Sequence, residues 1–200
     1  VTEGFSQWVI EDDFAGPRPR WEKVGAELVA DVAPYETAKL RMLNGAHSAL
    51  AYIGLGQGHE FVHQAIADPA IRPVIERLMR EEAAPTIEPA PGQDLAAYAD
   101  ALLARFANPT LHHRLIQIAM DGSQKIPQRW LETLAWHQKQ GTRCPSLEAA
   151  VDAWIAFLRG GAHPIDDPLA DRLCVAAAGP DARQALFGTD GLLASEWHPE

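Results

Sequence analysis

The most regular pattern of apolar positions lies in residues 34–55, which are apolar or small on most sides of a helix. Pro34 suits the first position of a helix, and Glu36 follows in the first turn, where negative charge is favoured. A helix that is apolar on most faces lies buried within a domain. The pattern therefore predicts a long central helix over 34–55, which the glycine-rich stretch 54–58 ends.

Shorter segments with helical periodicity fill most of the remaining chain. The predicted helices are 60–66, 69–82 with Asp68 as N-cap, 95–106 with Asp94 as N-cap, a helix from Leu111, 126–139, 146–160, 168–177 and 180–187. Before the central helix, residues 5–10 and 27–32 have the pattern of short strands, and 21–25 that of one helical turn. These elements predict a mainly α domain with a small β feature near its N-terminus.

The composition is that of one ordinary globular domain over residues 1–200, with 47% hydrophobic residues and a net charge of −10. The lack of a basic patch argues against a nucleic-acid partner, and no apolar run approaches the roughly 18 residues of a membrane span. Cys144 and Cys174 are too few for a disulfide framework, so we expect thiols in a reducing, cytoplasmic compartment. Because the chain begins without a Met or a signal peptide, we expect a fragment or a processed product.

Polar residues on the predicted central helix are the first candidates for chemistry. With about 100° per residue, Lys39, Asn44 and His47 fit within half of the helix circumference. A buried lysine loses its proton more readily, because desolvation disfavours the ammonium, so Lys39 could act as a general base. Asn44 and His47 could hydrogen-bond a hydroxyl or carbonyl oxygen, and Glu36 could orient Lys39 or relay protons. Such a site suits the interconversion of a secondary alcohol and a ketone, which needs a hydride carrier.

The same residues are also compatible with a purely structural role. Lys39 could extend its amine to solvent, Asn44 could bond a neighbouring backbone group, and His47 could be a hydrogen-bonded core histidine. The spacing alone leaves both interpretations open.

A second dense polar group lies at residues 117–129, between apolar helical segments. Asp121-Gly-Ser interrupts the helical pattern, and Ser123 can cap the helix that follows. Together with Lys125 and Arg129, this group could form one wall of a polar pocket or a solvated turn between helices.

Two other patterns do not support a site. The glycines at 54–58 follow a predicted helix rather than a strand, which argues against a dinucleotide-binding loop. His112 and His113 would point to different sides of a helix, and no Cys or His cluster has zinc spacing, so no metal is expected.

The run Lys39-x4-Asn44-x2-His47 resembles the C-terminal domain of the long-chain polyol dehydrogenase family. That family includes mannitol 2-dehydrogenases and hexuronate reductases such as fructuronate reductase. The segments that carry the resemblance are 7–10, 34–50, Asn108-Pro109 and 117–129. The resemblance thus extends over most of the chain, roughly residues 3–160.

This resemblance implies an NAD- or NADP-dependent enzyme without a metal, whose N-terminal Rossmann domain is absent from this chain. The C-terminal half is multi-helical, like the C-terminal domain of 6-phosphogluconate dehydrogenase, and the active site lies between the two domains. Lys39 matches the family's general acid/base, and Asn44 and His47 match residues that hold and polarise the reacting oxygen. Lys125 matches a substrate-binding lysine, and Glu36 a residue that gates proton access.

One position departs from the mannitol 2-dehydrogenases, which have an arginine in place of Gln117. Gln117, Gln124 and Arg129 are closer to the fructuronate reductase branch or to the bacterial mannitol dehydrogenases near it. We therefore predict that Gln117, Lys125 and Arg129 bind the substrate, which is of the mannitol/fructose or the mannonate/fructuronate type. The chain alone is expected to be inactive. The alternative is a non-enzymatic helical interaction module that retains the motif as packing.

Overall fold

One long helical rod runs through the centre of the computed structural model, which describes residues 6–199. The rod consists of α1 (Ala33–Ala38), a π-helical segment (Lys39–Asn44) and α2 (Gly45–Gly56). The Asp31 carboxylate accepts a hydrogen bond from the Ala33 backbone N–H at 2.8 Å where the rod begins. The rod ends just before Gly58, whose φ of +82° favours glycine. The helix predicted over 34–55 is confirmed, whereas the π-helical turn inside it is not evident from the sequence.

Helices also make up most of the chain beyond the rod. They are α3 (Val62–Ala67), α4 (Arg72–Arg77), α5 (Leu95–Phe106), α6 (Leu115–Ile118), α7 (Gly122–Ile126), α8 (Glu132–Gln140), α9 (Pro145–Gly160), α10 (Ala170–Ala178) and α11 (Ala182–Phe187). Two more π-helical segments, Leu78–Ala83 and Pro127–Leu131, follow α4 and join α7 to α8. Short 3-10 turns occur at Trp21–Val24 and Ala84–Thr86.

The small β feature is a two-stranded parallel sheet of β1 (Trp8–Glu11) and β2 (Ala26–Val29). The rings of Trp8 and Phe14 both contact Trp21 in the turn between the strands, at 6.0 and 5.6 Å between centroids. Both predicted strands are confirmed, although Phe5 lies outside the described residues. The mainly α fold with a small β feature is confirmed as well.

The hydrophobic core surrounds α2, which packs against α6 and α9. Tyr52 of α2 contacts the buried rings of Trp130 and Trp154 and donates a hydrogen bond from its hydroxyl to the Ala119 carbonyl at 2.9 Å. Burying one large apolar side chain contributes about 1.5–3 kcal/mol.

Lys39, Asn44 and His47 lie on the central rod itself. The second polar group, residues 117–129, lies on segments that pack against the rod. The rod therefore positions both groups.

One predicted helix start is wrong at Asp68. The Asp68 carboxylate accepts a hydrogen bond from the Ala70 N–H at 2.8 Å and forms a second one with His59 Nε2 at 2.9 Å. These contacts hold residues 68–71 in a turn. The next helix therefore begins at Arg72 rather than at Pro69.

The predicted helix start at Leu111 is also wrong. An extended segment replaces it, in which the His113 carbonyl accepts from the Val62 N–H at 3.0 Å and Arg114 forms a β-bridge with Phe61. Because these backbone groups bond across to another part of the chain, α6 begins only at Leu115.

The two cysteines are free thiols, as predicted. Burial raises the pKa of Cys144 to about 12, so this thiol stays protonated at neutral pH. In the described part of the chain, no helix has the length and apolar character that crossing a membrane requires.

A buried carboxylate caps the longest α-helix from a distant part of the chain. Glu82 is 2% exposed, and its two oxygens accept from the Ser146 and Leu147 backbone N–H groups at 2.7 and 2.8 Å. Cys144, at the N-cap position of α9, makes no side-chain cap of its own. Glu82 therefore supplies the acceptors that the first turn of α9 lacks.

We predict that Glu82→Ala lowers the free energy of unfolding by about 2–4 kcal/mol, because it leaves two buried N–H groups without acceptors. Urea unfolding at pH 7 measures the change. Glu81→Ala is the matched control, since the Glu81 side chain is 72% exposed, and should change stability by no more than about 0.5 kcal/mol. Equal effects of the two substitutions would contradict the cap.

Candidate active site

Three candidate residues lie on or beside the π-helical segment of the rod. Lys39 is its first residue, Asn44 is its last, and His47 follows in the first turn of α2. An i→i+5 turn rotates less per residue than an α turn, so Asn44 lies nearer the Lys39 side than uniform α geometry predicts. Such π-helical turns occur frequently at functional sites.

Lys39 and Glu36 are both exposed. The burial of Lys39 that the sequence argument assumed is therefore wrong. The apolar neighbours of Lys39 are buried on other sides of the rod, and Lys39 itself faces solvent. Within residues 6–199, no hydrogen bond or ion pair holds the Lys39 amine. Its amine is consequently open to solvent and to an approaching molecule.

His47 lies against Phe106, with 4.7 Å between ring centroids, and against His113, at 6.2 Å. Burial, together with the nearby charges of His113, Arg105 and Arg129, lowers the pKa of His47 to about 3. His47 is therefore a neutral imidazole at physiological pH. A neutral ring can donate one hydrogen bond to a hydroxyl or carbonyl oxygen without adding charge.

Arg129 connects the second polar group to the rod. Its Nη1 donates to the Ser48 hydroxyl at 2.8 Å and to the Asn44 backbone carbonyl at 3.4 Å. Burial lowers the pKa of this guanidinium. Among the described residues no carboxylate pairs with Arg129, so its positive charge is balanced only by neutral oxygens.

Lys125 is half-buried and lies across the end of α6. Its Nζ donates to the Met120 carbonyl at 2.5 Å and to the Ile118 carbonyl at 3.5 Å, and it lies 3.9 Å from the Asp121 carboxylate. Burial and the charge of Arg129 lower the pKa of Lys125. This arrangement points the cationic end of Lys125 toward the carbonyl end of a helix, where positive charge is favoured.

Ser123 does not cap the helix that follows Asp121, contrary to the prediction. It lies inside α7, and its hydroxyl and backbone N–H both donate to the carboxylate of Asp167, each at 2.7 Å. The acceptor for the first turn of α7 thus comes from a residue 44 positions later in the chain.

The structure brings Asn44, Ser48 and Arg129 into direct contact. His47 and Lys125 both lie within electrostatic reach of Arg129, so these residues share one region. Gln117 is exposed on α6, which packs against α2. Lys39 and Glu36 make no side-chain hydrogen bond with this group.

Sequence reasoning missed three residues of this region: Ser48, Arg105 and His113. Ser48 follows Asn44 by one helical turn, a spacing that places both on one side of α2 and could have identified it. Arg105 and His113 approach His47 from other segments, and no local pattern indicates that approach.

Two features of the described residues bear on cofactor and metal binding. Gly54 and Gly56 lie inside α2 rather than after a strand, as a dinucleotide loop requires. The glycine-rich stretch therefore does not form a dinucleotide-binding loop. In residues 6–199, no group of three or more His, Cys, Asp or Glu side chains could hold a metal ion.

Comparison with known proteins finds one family over most of the chain. The sequence model of the mannitol dehydrogenase C-terminal domain matches residues 31–186. The D-mannonate oxidoreductase of Escherichia coli K12 is 44% identical over 202 residues, which covers 97% of this chain and 42% of that protein. The mannitol 2-dehydrogenase of Phaeosphaeria nodorum is 41% identical over 86% of this chain and 32% of that protein.

A solved structure agrees with these relatives. Pseudomonas fluorescens mannitol 2-dehydrogenase, in ternary complex with NAD and D-mannitol, has a TM-score of 0.83 and 35% identity. The match covers 96% of this chain and 39% of that one, so this chain spans about two fifths of the length of these proteins. The resemblance seen in the sequence is thereby confirmed.

We predict that protonation of His47 makes stability depend on pH. An unfolded histidine has a pKa near 6.5, so the unfolded state takes up a proton below about pH 6.5 that folded His47 refuses until about pH 3. Stability should therefore fall as the pH falls, by up to about 2 kcal/mol between pH 7 and pH 5 from this residue.

Urea unfolding at both pH values, for wild type and His47→Gln, measures this contribution. The variant should lose less stability on acidification than wild type. His198→Gln, which changes an exposed histidine, should behave as wild type does. The same pH dependence in wild type and His47→Gln would refute the assignment.

Proposed function

Because the chain belongs to the mannitol dehydrogenase C-terminal domain family, we propose that it is the substrate domain of a longer NAD(P)-dependent oxidoreductase. The reaction interconverts a secondary alcohol and a ketone on a polyol or a sugar acid. The observation that carries the proposal is the place of Arg129: it donates to the Asn44 backbone carbonyl at 3.4 Å, and its charge acts on both His47 and Lys125. The much greater length of the relatives supports a nicotinamide-binding Rossmann domain outside this chain.

Lys39 acts as the general acid/base in this proposal. Its ammonium donates a proton to the oxygen when a ketone is reduced, and its amine accepts the proton when an alcohol is oxidised. The exposure of Lys39 in this chain supports the proposal, since the amine is free to meet a substrate. Glu36, one turn earlier on the same rod, would pass protons between Lys39 and water.

Asn44 and His47 hold the reacting oxygen. The neutral imidazole of His47 donates a hydrogen bond to that oxygen, while the Asn44 amide offers a second donor. Neither group exchanges a proton with the substrate at neutral pH, so proton transfer is left to Lys39. The hydride comes from a nicotinamide cofactor that binds outside the described residues.

Lys125, Gln117 and Arg129 bind the rest of the substrate. Among the described residues the Arg129 guanidinium has no carboxylate partner, and Lys125 adds a second cation whose amine lies 3.9 Å from the Asp121 carboxylate. The two cations together favour an anionic group, although the whole chain carries a net charge of −10. This favours a sugar acid of the mannonate/fructuronate type over a neutral polyol. The similarity to D-mannonate oxidoreductase supports the same choice.

A non-enzymatic helical interaction module is the second candidate. The hydrogen bonds that Arg129 makes to Ser48 and Asn44 tie two helical segments together and would also serve packing alone. The exposed, unbonded Lys39 has no function in that interpretation. Activity of the longer protein therefore distinguishes the two candidates.

We predict that Lys39→Ala lowers kcat of the longer enzyme by about 10²–10⁴-fold, the usual contribution of an acid/base group. NADH oxidation with D-fructuronate or D-fructose measures the rate. Lys23→Ala is the control, because Lys23 is an exposed lysine in the 3-10 turn between the strands. Unchanged turnover after Lys39→Ala would remove the catalytic role.

The isolated 200-residue chain is the second arm of this experiment. We expect neither NADH binding nor turnover from it, because its described residues build no dinucleotide site. Clear turnover by the isolated chain would show that the cofactor site has been placed in the wrong part of the protein.

A further inference from the structure

The turn between α6 and α7 has an uncommon backbone conformation, which hydrogen bonds from other parts of the chain stabilise. Asp121 has φ +54°, the one positive φ of a non-glycine residue in the described part of the chain. The Asp121 N–H donates to the Asp166 carbonyl at 2.8 Å, and the Ala119 carbonyl accepts from the Tyr52 hydroxyl at 2.9 Å. Two different parts of the chain therefore fix the ends of this turn.

Packing leaves the same turn no room to move. A Cβ at Gly122 would lie 2.8 Å from both the Trp154 indole nitrogen and the Tyr52 hydroxyl oxygen. Such contacts are too close for any side chain, so the Gly122 backbone lies directly against α2 and α9. A shift of the turn toward the core is thus blocked.

Asp167 holds the other side of the turn. Its Oδ2 accepts from the Ser123 N–H and its Oδ1 from the Ser123 hydroxyl, both at 2.7 Å. Oδ1 also accepts from the Leu169 N–H at 2.8 Å, which fixes the carboxylate on its own loop. Hydrogen bonds to a carboxylate are stronger than those between neutral groups. Asp167 thereby fastens the first turn of α7 to the loop that precedes α10.

The backbone beside Asp121 also binds the Lys125 side chain. Its ammonium donates to the carbonyl of Met120, which immediately precedes Asp121, at 2.5 Å, and to the carbonyl of Ile118 at 3.5 Å. A displacement of residues 119–123 therefore displaces the Met120 carbonyl, the nearer acceptor of Lys125.

We propose that Asp167 is a positioning residue for the substrate site: through Ser123 it fixes the turn whose carbonyl groups hold the Lys125 ammonium. The inference rests on the proposed function, because it assigns substrate binding to Lys125. Asp167 does not touch the substrate in this account. It sets the position and direction from which Lys125 does so.

The charges around Lys125 give a second readout. The charged groups that face its amine are Arg129 from the same helical stretch, Asp121 in the turn, and Asp166 and Asp167 in the loop before α10. Burial and Arg129 lower the pKa of Lys125, whereas the three carboxylates oppose that shift. Removal of the Asp167 charge should therefore lower the pKa of the Lys125 amine further.

Asp167→Asn tests the inference in two experiments, with Asp171→Asn as the matched control on the exposed first turn of α10. In the longer enzyme, Asp167→Asn should raise KM about tenfold, the equivalent of one lost hydrogen bond, while kcat changes less than about threefold. In the 200-residue chain, nitrogen-detected NMR of the lysine side chains should show a lower pKa for Lys125. Asp171→Asn should change neither value.

Unchanged KM and an unchanged Lys125 titration in Asp167→Asn would overturn the inference. If the longer wild-type enzyme reduces neither substrate, the proposed function fails. Amide exchange at Asp121 in the 200-residue chain, which should be faster in Asp167→Asn than in wild type, then decides whether Asp167 holds the turn. If Asp167→Asn does not fold, Ser123→Ala replaces it, since it keeps the carboxylate charge. That variant should raise KM about threefold and speed amide exchange at Asp121, whereas no change in either would overturn the inference.

Discussion

The close contact between α2 and the π-helical segment Pro127–Leu131 is the constraint on which the rest of the structure depends. A Cβ at Gly45 would lie 3.2 Å from the Arg129 backbone oxygen, so glycine allows an approach that other residues would resist. The Trp130 indole N–H donates to the Gly45 carbonyl at 3.0 Å and fixes the register of the two segments. The contact that closes the core therefore also brings Arg129 to Ser48.

The same contact determines where Arg129 places its positive charge in this acidic chain. Arg129 directs its charge at the neutral oxygens of Ser48 and Asn44 and has no carboxylate partner among the described residues, whereas the Lys125 amine lies 3.9 Å from the Asp121 carboxylate. His47 stays neutral because burial and the nearby charges of His113, Arg105 and Arg129 disfavour a further positive charge. The result is a polar region with one neutral imidazole and one guanidinium that has no carboxylate partner among the described residues.

The sequence predicted much of the fold because its signals are local. The apolar pattern of residues 34–55 indicated the central rod, and Asp94 indicated the start of α5, where its carboxylate accepts from the Ala96 and Ala97 N–H groups at 2.9 Å. The π-helical segments were not predicted, since their apolar pattern differs too little from that of an α-helix. The family motif named the site residues, whose roles remain predictions.

The parts that the sequence could not predict depend on distant contacts. Lys39 is exposed because the neighbouring segments cover other sides of the rod. The apolar periodicity of the rod does not show which of its sides stays uncovered. Asp167 caps Ser123 from 44 residues away, and Glu82 caps α9 from 64, so neither appears in a search for local caps.

We propose that Arg129, held by Ser48 and Asn44, makes the longer enzyme favour a sugar acid over a neutral polyol. The most direct test compares kcat/KM for D-fructuronate and D-fructose in the longer enzyme, for wild type and Arg129→Leu. We expect the variant to lose about 1.5–3 kcal/mol of discrimination in favour of the acid, which is roughly 10–150-fold in the ratio. An unchanged ratio between the two substrates would contradict it.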